Sequence, residues 1–209
     1  MLGGTFNPIH IAHLILGEEA LALMKLDEVV YVPAQYPWRK GHVALASGEH
    51  RLAMTRLATQ ANPCFDVSPV DIDRGGATYT VDTIHDLQQH YGADTDFYFL
   101  MGMDSLLDLP HWHRPAELAE MVQFVVFRRP NFEPDWNHLE RSMPVLKGRV
   151  TLLPTPLMGI SSTEIRRRIT NGLPIRYWTP DAVADYIEQC GLYRVPDDIA
   201  GENGEHGSH

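Results

Sequence analysis

The sequence predicts an α/β fold, a doubly wound parallel sheet with helices on both faces. Its short apolar runs are near-continuous rather than alternating, as strands buried on both faces are. Helical patterns lie between those runs, which is the order a parallel sheet with crossover helices produces. With 209 residues, 44% of them hydrophobic and 21% charged, the chain suits one globular domain with a real core.

The elements follow in order. Gly3-Gly4 should close a first strand, yet only Met1 and Leu2 precede it. The first strand is therefore expected to be missing or truncated, or the chain to begin late. Residues 11–26 carry a helical pattern, and Val29-Val30-Tyr31-Val32 reads as a buried strand. Residues 49–60 and 80–91 are the next helices. Further strands are Phe97-Tyr98-Phe99-Leu100, Phe124-Val125-Val126-Phe127 and Val150-Thr151-Leu152-Leu153. Residues 129–148 are polar, proline-bearing and weakly periodic, and read as an excursion from the sheet. Residues 162–171 and 180–189 are the last helices. No internal repeat is evident. A single domain is expected over residues 1–195, with a disordered tail at 196–209 that is rich in Gly, Asp, Glu and His and lacks apolar anchors. Ligands of such sheets bind at the carboxyl ends of the strands, beside a switch in strand order.

Composition excludes several classes. No apolar run is long enough for a membrane span, and the opening MLGGTFNPIH has no basic segment followed by an apolar core, so neither a membrane partner nor a signal peptide is expected. Two cysteines, Cys64 and Cys190, give no disulfide framework, and a reducing cytoplasm is the default. A net charge of −10 argues against nucleic acid as a partner. An acidic protein that binds a polyphosphate must gather its cations locally. It does so at Arg39-Lys40, at Arg128-Arg129 and at Arg166-Arg167-Arg168. Singly, each cluster reads as solvated surface.

Two constellations carry chemistry. In Gly3-Gly4-Thr5-Phe6-Asn7-Pro8-Ile9-His10-Ile11-Ala12-His13 the glycines allow close backbone approach to a ligand. His10 and His13 share one face at the first turn of the helix if it has begun there. Helix N-termini favour phosphate through free N–H groups and the macrodipole. A metal pair at these histidines is the weaker reading, because no acid or third histidine lies nearby, and no protein-held metal is expected. In Ile160-Ser161-Ser162-Thr163-Glu164-Ile165-Arg166, Ser161 and Glu164 have capping-box spacing, which a well-made helix start explains by itself. Hydroxyls and a guanidinium at a helix mouth also suit a polyphosphate. Asn171-Gly172 is a plausible helix stop.

Together the two segments resemble the early T/HxGH and late ISSTxxR motifs of the nucleotidyltransferase superfamily, with Ala12 where glycine is usual. The middle of the chain resembles bacterial nicotinate-nucleotide adenylyltransferases. The matching segments, in order, are Pro33-Ala34-Gln35-Tyr36-Pro37-Trp38-Arg39-Lys40, Thr78-Tyr79-Thr80, Gly102-Met103-Asp104-Ser105, Trp112, Arg128-Arg129-Pro130 and Gly191-Leu192-Tyr193-Arg194. The resemblance covers residues 1 to about 195. Departures are Trp38-Arg39 for the usual Pro-His, Thr78 for Ser, and Asn7 for the common Asp.

The resemblance implies a Rossmann-like sheet of the adenine nucleotide α-hydrolase-like nucleotidyltransferase fold. It also implies transfer of AMP from ATP to nicotinate mononucleotide in NAD biosynthesis, releasing pyrophosphate. His10, His13, Lys40 and Arg166 are its implied catalytic residues. Gly3, Gly4, Thr5, Phe6, Gly102, Ile160, Ser161 and Ser162 join His10, His13 and Arg166 around ATP. Lys40, Thr80, Asp104, Trp112 and Arg129 face the mononucleotide, with Trp112 stacking on the pyridine ring, Thr80 capping its helix and Asp104 accepting from ribose hydroxyls. Mg²⁺ is expected to arrive with ATP, bridging its oxygens with few protein ligands. A homo-oligomer is compatible with the sequence. Rival readings stay open: a nicotinamide mononucleotide or phosphopantetheine acceptor, or a non-catalytic nucleotide-binding protein. A class I aminoacyl-tRNA synthetase is disfavoured, because the chain is short and acidic and lacks a KMSKS-like loop.

Overall fold

The computed structural model describes residues 1–37, 45–92, 94–128, 134–154, 156 and 158–194. In chain order these form β1 (Leu2–Gly4), α1 (Ile11–Met24), β2 (Val29–Pro33), β3 (Tyr36–Pro37), α2 (Gly48–Thr59) and β4 (Phe65–Val67). Then come α3 (Val70–Arg74), β5 (Ala77–Thr78), α4 (Thr80–Tyr91), β6 (Tyr98–Gly102), α5 (Met103–Asp108) and α6 (Pro115–Met121). The chain continues with β7 (Gln123–Phe127), α7 (Trp136–Ser142), β8 (Val150–Leu153), α8 (Ser162–Thr170) and α9 (Asp181–Gln189).

Six strands make one parallel sheet in the order β4-β2-β1-β6-β7-β8. The chain winds outward from β1 in one direction and then from β6 in the other, so the switch in strand order lies between β1 and β6. The predicted doubly wound sheet is thus observed. A separate two-stranded pair joins β3 to β5.

Side-chain alternation divides the sheet into two cores. Val30, Val32, Phe99, Met101, Phe124 and Val126 face one side, against Val81, Ile84 and Leu87 of α4 and Leu118 of α6. Val29, Tyr31, Leu100, Val125 and Phe127 face the other, against Ala20 of α1, Met54 of α2 and Val183 and Ile187 of α9. Burial on both faces is why these strands read as unbroken apolar runs.

One expectation is corrected and another holds. The first strand is present: Leu2, Gly3 and Gly4 pair with Tyr31, Val32 and Pro33, and Leu2 also pairs with Leu100. The Met1 amino group donates to the Tyr98 carbonyl at 2.7 Å. Flanked by two longer strands, three residues suffice to fill the centre of the sheet. The described part of the excursion, from residue 134, does leave the sheet, as expected. It contains α7 and a 3₁₀ turn at Pro144–Leu146, with Leu139, Met143 and Leu146 buried in the first core. Those three anchors recur at helical spacing, but polar neighbours dilute the pattern. Residues 196–209, where the tail was expected, lie outside the described residues.

Helix α1 packs so closely on β2 that a Cβ at Gly17 would lie 2.1 Å from Tyr31 Oη. That hydroxyl is buried and donates to the His13 carbonyl at 3.2 Å. Gly17→Ala is therefore expected to destabilise the protein by about 1–3 kcal/mol through overpacking. Adding Tyr31→Phe should restore part of the loss in a thermal melt. Equal melting temperatures for the parent and Gly17→Ala would contradict the close approach.

Candidate active site

The carboxyl ends of β1 and β6 open the crevice at the switch point, where this class of sheet binds ligands. After β1 the chain doubles back: Phe6 has φ 45°, and a Cβ at Gly4 would lie 2.7 Å from the Phe6 ring. Only glycine fits there. The Phe6 ring is buried and meets the His13 ring edge-on, with centroids 5.0 Å apart. The Asn7–Pro8 peptide is cis.

Segments distant in sequence hold this turn. The buried Asn7 accepts at Oδ1 from Ala46 N–H at 3.1 Å and from the Tyr193 hydroxyl at 2.7 Å. Its carbonyl accepts from an Arg166 Nη at 2.7 Å. The Ser162 hydroxyl donates to the Pro8 carbonyl at 2.8 Å, across 154 residues of chain. Thr179 Oγ1 donates to the Ile9 carbonyl at 2.9 Å, and Ile11 N–H donates to the Trp178 carbonyl at 3.0 Å. The two constellations read from the sequence therefore meet, and the mouths of α1 and α8 lie side by side.

His10 is the N-cap residue of α1, and His13 is one turn in. Their rings stack, with centroids 3.7 Å apart and planes 22° apart. His13 Nδ1 accepts the His10 N–H at 3.2 Å, so a neutral His13 carries its proton on Nε2. His10 is buried, and that burial lowers its pKa to about 4. It is neutral at physiological pH, with a buried Nδ1 that no described group satisfies. At α8, Ser161 accepts the Glu164 N–H at 3.2 Å as a true N-cap. The Glu164 carboxylate turns away to a two-point contact with Arg167, both bonds at 2.7 Å, so only half of the expected capping box forms. Arg166 spends its other contact on Thr163 Oγ1 at 3.4 Å. Two imidazoles stand at one helix mouth and, at the other, a guanidinium that no described carboxylate meets, a set of donors chemically suited to phosphate oxygens.

Beside it lies a cavity of about 260 Å³, lined among others by Gly4, Thr5, Thr80, Asp71, Asp108 and Trp112. The Trp112 indole N–H donates to Asp108 Oδ2 at 3.2 Å, and its ring meets Phe99 edge-on at 5.9 Å. A flat aromatic wall, hydroxyls and carboxylates suit a ring bearing polar substituents. Larger cavities lie at the opposite end of the strands, around Met1 and Tyr98, and between α8 and α9, both apart from the converging motifs.

The chain matches the cytidylyltransferase-like family over residues 1–168. A Saccharopolyspora erythraea protein named a probable nicotinate-nucleotide adenylyltransferase is 44% identical, over 96% of this chain and 92% of its own length. A Herpetosiphon aurantiacus protein of the same name is 44% identical over 92% of this chain and 96% of its own. The chain belongs to the nicotinate-nucleotide adenylyltransferase family. Its fold is shared with the Plasmodium falciparum nicotinic acid mononucleotide adenylyltransferase complexed with NaAD, at a TM-score of 0.73 and 22% identity over 92% of this chain and 95% of that one.

Against that family's motifs, the structure gathers Gly3, Gly4, Thr5, Thr80 and Trp112 around one cavity, with His10, His13, Ser162 and Arg166 at the adjoining helix mouths. Gly102 ends β6 and is the N-cap of α5, Asp104 sits exposed in the first turn of that helix, and Ile160 directly precedes the α8 cap. Lys40 and Arg129 lie outside the described residues, as do Trp38 and Arg39. One role is corrected. Thr80 does not cap α4, because Tyr79 holds the N-cap position and Thr80 is the first helical residue. Phe6 turns its ring into the core, where it supports His13. Sequence reasoning missed Asn7, Arg51 and Asp71. Asn7 stood within a motif but was weighed only as a departure. Arg51 and Asp71 lie on predicted or short helices, where a charged residue ordinarily means surface, yet both are buried.

The low pKa of His10 has a consequence for stability. Its folded value lies below the ordinary 6.5, so the unfolded chain binds more protons between 6.5 and about 4. Stability is complete above that window and falls as pH drops through it. Relative to a His10→Gln variant, the parent should lose about 2–3 kcal/mol more between about pH 7 and about pH 4.5, measured by urea unfolding. Parallel losses in the two proteins would place His10 in contact with solvent.

Proposed function

We propose that the chain transfers the AMP group of ATP to nicotinate mononucleotide, giving nicotinate adenine dinucleotide and pyrophosphate, a step in NAD biosynthesis. The observation that carries this reading is the convergence of the stacked His10 and His13 with Ser162 and Arg166 on one turn. The names of the relatives and the NaAD complex of the structural neighbour support the choice of acceptor.

The reaction asks for positioning and charge neutralisation more than covalent chemistry. An oxygen of the mononucleotide phosphate attacks the α-phosphorus of ATP in line. The bond from that phosphorus to the bridging oxygen breaks, and pyrophosphate leaves with the electron pair. No general base is required, because the attacking phosphate is already ionised. His13 donates from Nε2 and His10 lines the same mouth, both assigned to the α and β phosphates. Arg166 and the α8 hydroxyls hold the leaving end of the triphosphate. Lys40 and Arg129 are assigned to the polyphosphate and the mononucleotide phosphate. Trp112, steadied by Asp108 and Phe99, is the wall on which the pyridine ring stacks.

Imidazoles, a guanidinium and hydroxyls are donors for phosphate oxygens and poor ligands for Mg²⁺. Among the described residues no group of three or more His, Cys, Asp or Glu is placed to hold a metal ion. A Mg²⁺ that arrived with ATP would be held by few groups of the protein and would supply charge neutralisation. No described helix is long and apolar enough to cross a membrane.

Purified protein with ATP and Mg²⁺ should release pyrophosphate with nicotinate mononucleotide in preference to nicotinamide mononucleotide or phosphopantetheine. Release with none of the three would leave a nucleotide-binding protein without transfer. His13→Ala should lower kcat by roughly 10²-fold or more, with an unchanged circular dichroism spectrum. Near-normal turnover would remove the phosphate role. Trp112→Ala should raise KM for the mononucleotide about tenfold, as expected for lost stacking, with a smaller change for ATP. Equal losses for both substrates would count against the stacked ring.

A further inference from the structure

Arg51 stands apart from the other arginines near the site. It lies in α2 with 1% of its surface exposed. A guanidinium buried to this degree ordinarily faces a carboxylate, since an unpaired buried charge costs several kcal/mol. Among the described residues no carboxylate pairs with it. Its partners are backbone carbonyls: Nε donates to Ala46 at 3.0 Å, Nη1 to Thr5 at 2.9 Å and to Ala34, and Nη2 to Gln35 at 2.8 Å. Burial lowers its pKa, while the hydroxyls of Tyr193 and Tyr36 act in the opposite sense. Arginine nevertheless stays protonated under all ordinary conditions.

Two of these carbonyls belong to Thr5 and Ala34, which themselves line the cavity beside the phosphate site. A carbonyl oxygen turned toward a phosphate would repel it. Captured by Arg51, those two oxygens are turned away from an incoming anion. The guanidinium also leaves a positive charge beneath the turn, with no acid among the described residues to cancel it. Tyr193 links this charge to the site: its phenol feels both Arg51 and Arg166, and its hydroxyl donates to Asn7.

We propose that Arg51 is a positioning residue for the polyphosphate of ATP, holding the Thr5 and Ala34 carbonyls out of the anion site while its buried charge offsets that of the bound phosphates. The inference rests on the reading of the site as an ATP site. Its test compares Arg51→Gln, which removes the charge, and Arg51→Lys, which keeps the charge but cannot span four carbonyls. For each, the dissociation constants of ATP with Mg²⁺ and of inorganic tripolyphosphate are measured by calorimetry, beside a thermal melt and steady-state kinetics.

Arg51→Gln is expected to weaken ATP and tripolyphosphate about tenfold or more, the size of one lost charge-assisted interaction, with KM for the mononucleotide changing less. Arg51→Lys should recover part of the loss. Should Arg51→Gln fail to fold, the lysine variant decides: ATP weakened about threefold or more supports the proposal, and ATP unchanged overturns it. Variants that melt earlier but bind ATP and tripolyphosphate like the parent make Arg51 a structural staple only, and also overturn it. A parent that binds ATP yet transfers nothing refutes the adenylyl-transfer reading and leaves this comparison intact.

Discussion

Hydrogen bonds from Ala46, Ser162, Arg166, Thr179 and Tyr193 converge on the backbone and side chain of residues 7–9, a turn only a few residues long. The position of both histidines depends on it, because His10 directly follows the turn and caps α1. Each bond contributes a net of about 1 kcal/mol, but removing one leaves a buried polar group unsatisfied at a cost of about 1–3 kcal/mol. The turn is thus over-determined. That suits the proposed site, which would hold phosphate oxygens in line with little reorganisation during the reaction.

Charge distribution follows the same logic. The chain carries a net charge of −10, yet several of its acids pair with other arginines. Arg74 is tied to Asp71 and Asp86, Arg114 to Asp82 and Glu117, and Arg167 to Glu164. Arg51 and Arg166 instead bind backbone carbonyls around the site. A carbonyl orients a guanidinium without cancelling its charge, so these two retain a full positive charge for an anionic ligand. The paired arginines show the alternative: their fields are largely neutralised at short range. An acidic protein can therefore bind a highly charged nucleotide without a broadly basic surface.

What the sequence disclosed and what it hid divide along one physical line. The long strands and helices were legible because burial on both faces imposes an apolar run, and α4 begins and ends where its periodicity does. His10, His13, Ser162 and Arg166 were legible because they sit at helix mouths, whose local grammar a sequence displays. Short elements were not. β1, β3 and β5 are stabilised by pairing with distant strands, and they are too short to carry a period. Arg51, Asn7 and Tyr193 act through backbone or side-chain bonds across tens to more than a hundred residues, and nothing local in the sequence marks such contacts. Glu164 was misread for a related reason. The capping spacing was right, but Arg167 on the same helix face competes for the carboxylate and wins with two charge-assisted bonds.

The two ends of the crevice solve different problems with the same device. α8 is capped by Ser161 and offers its charge through Arg166. α4 has no side-chain cap: Tyr79 occupies the N-cap position, where Ser, Thr, Asp or Asn would ordinarily satisfy a free N–H. Thr80, which could have filled that role one position earlier, instead lines the cavity beside Trp112. An uncapped helix start costs about 1 kcal/mol, and local rules of this kind are broken chiefly where function gains. On the proposed function, the first backbone N–H groups of α4 would meet the nicotinate carboxylate. Among the described residues, the Arg166 guanidinium stands at the α8 end of the crevice, and no cationic side chain lines the cavity beside α4. On the proposed function, that separation would seat two anionic substrates in fixed order, since the more highly charged one is drawn to the end that carries the guanidinium.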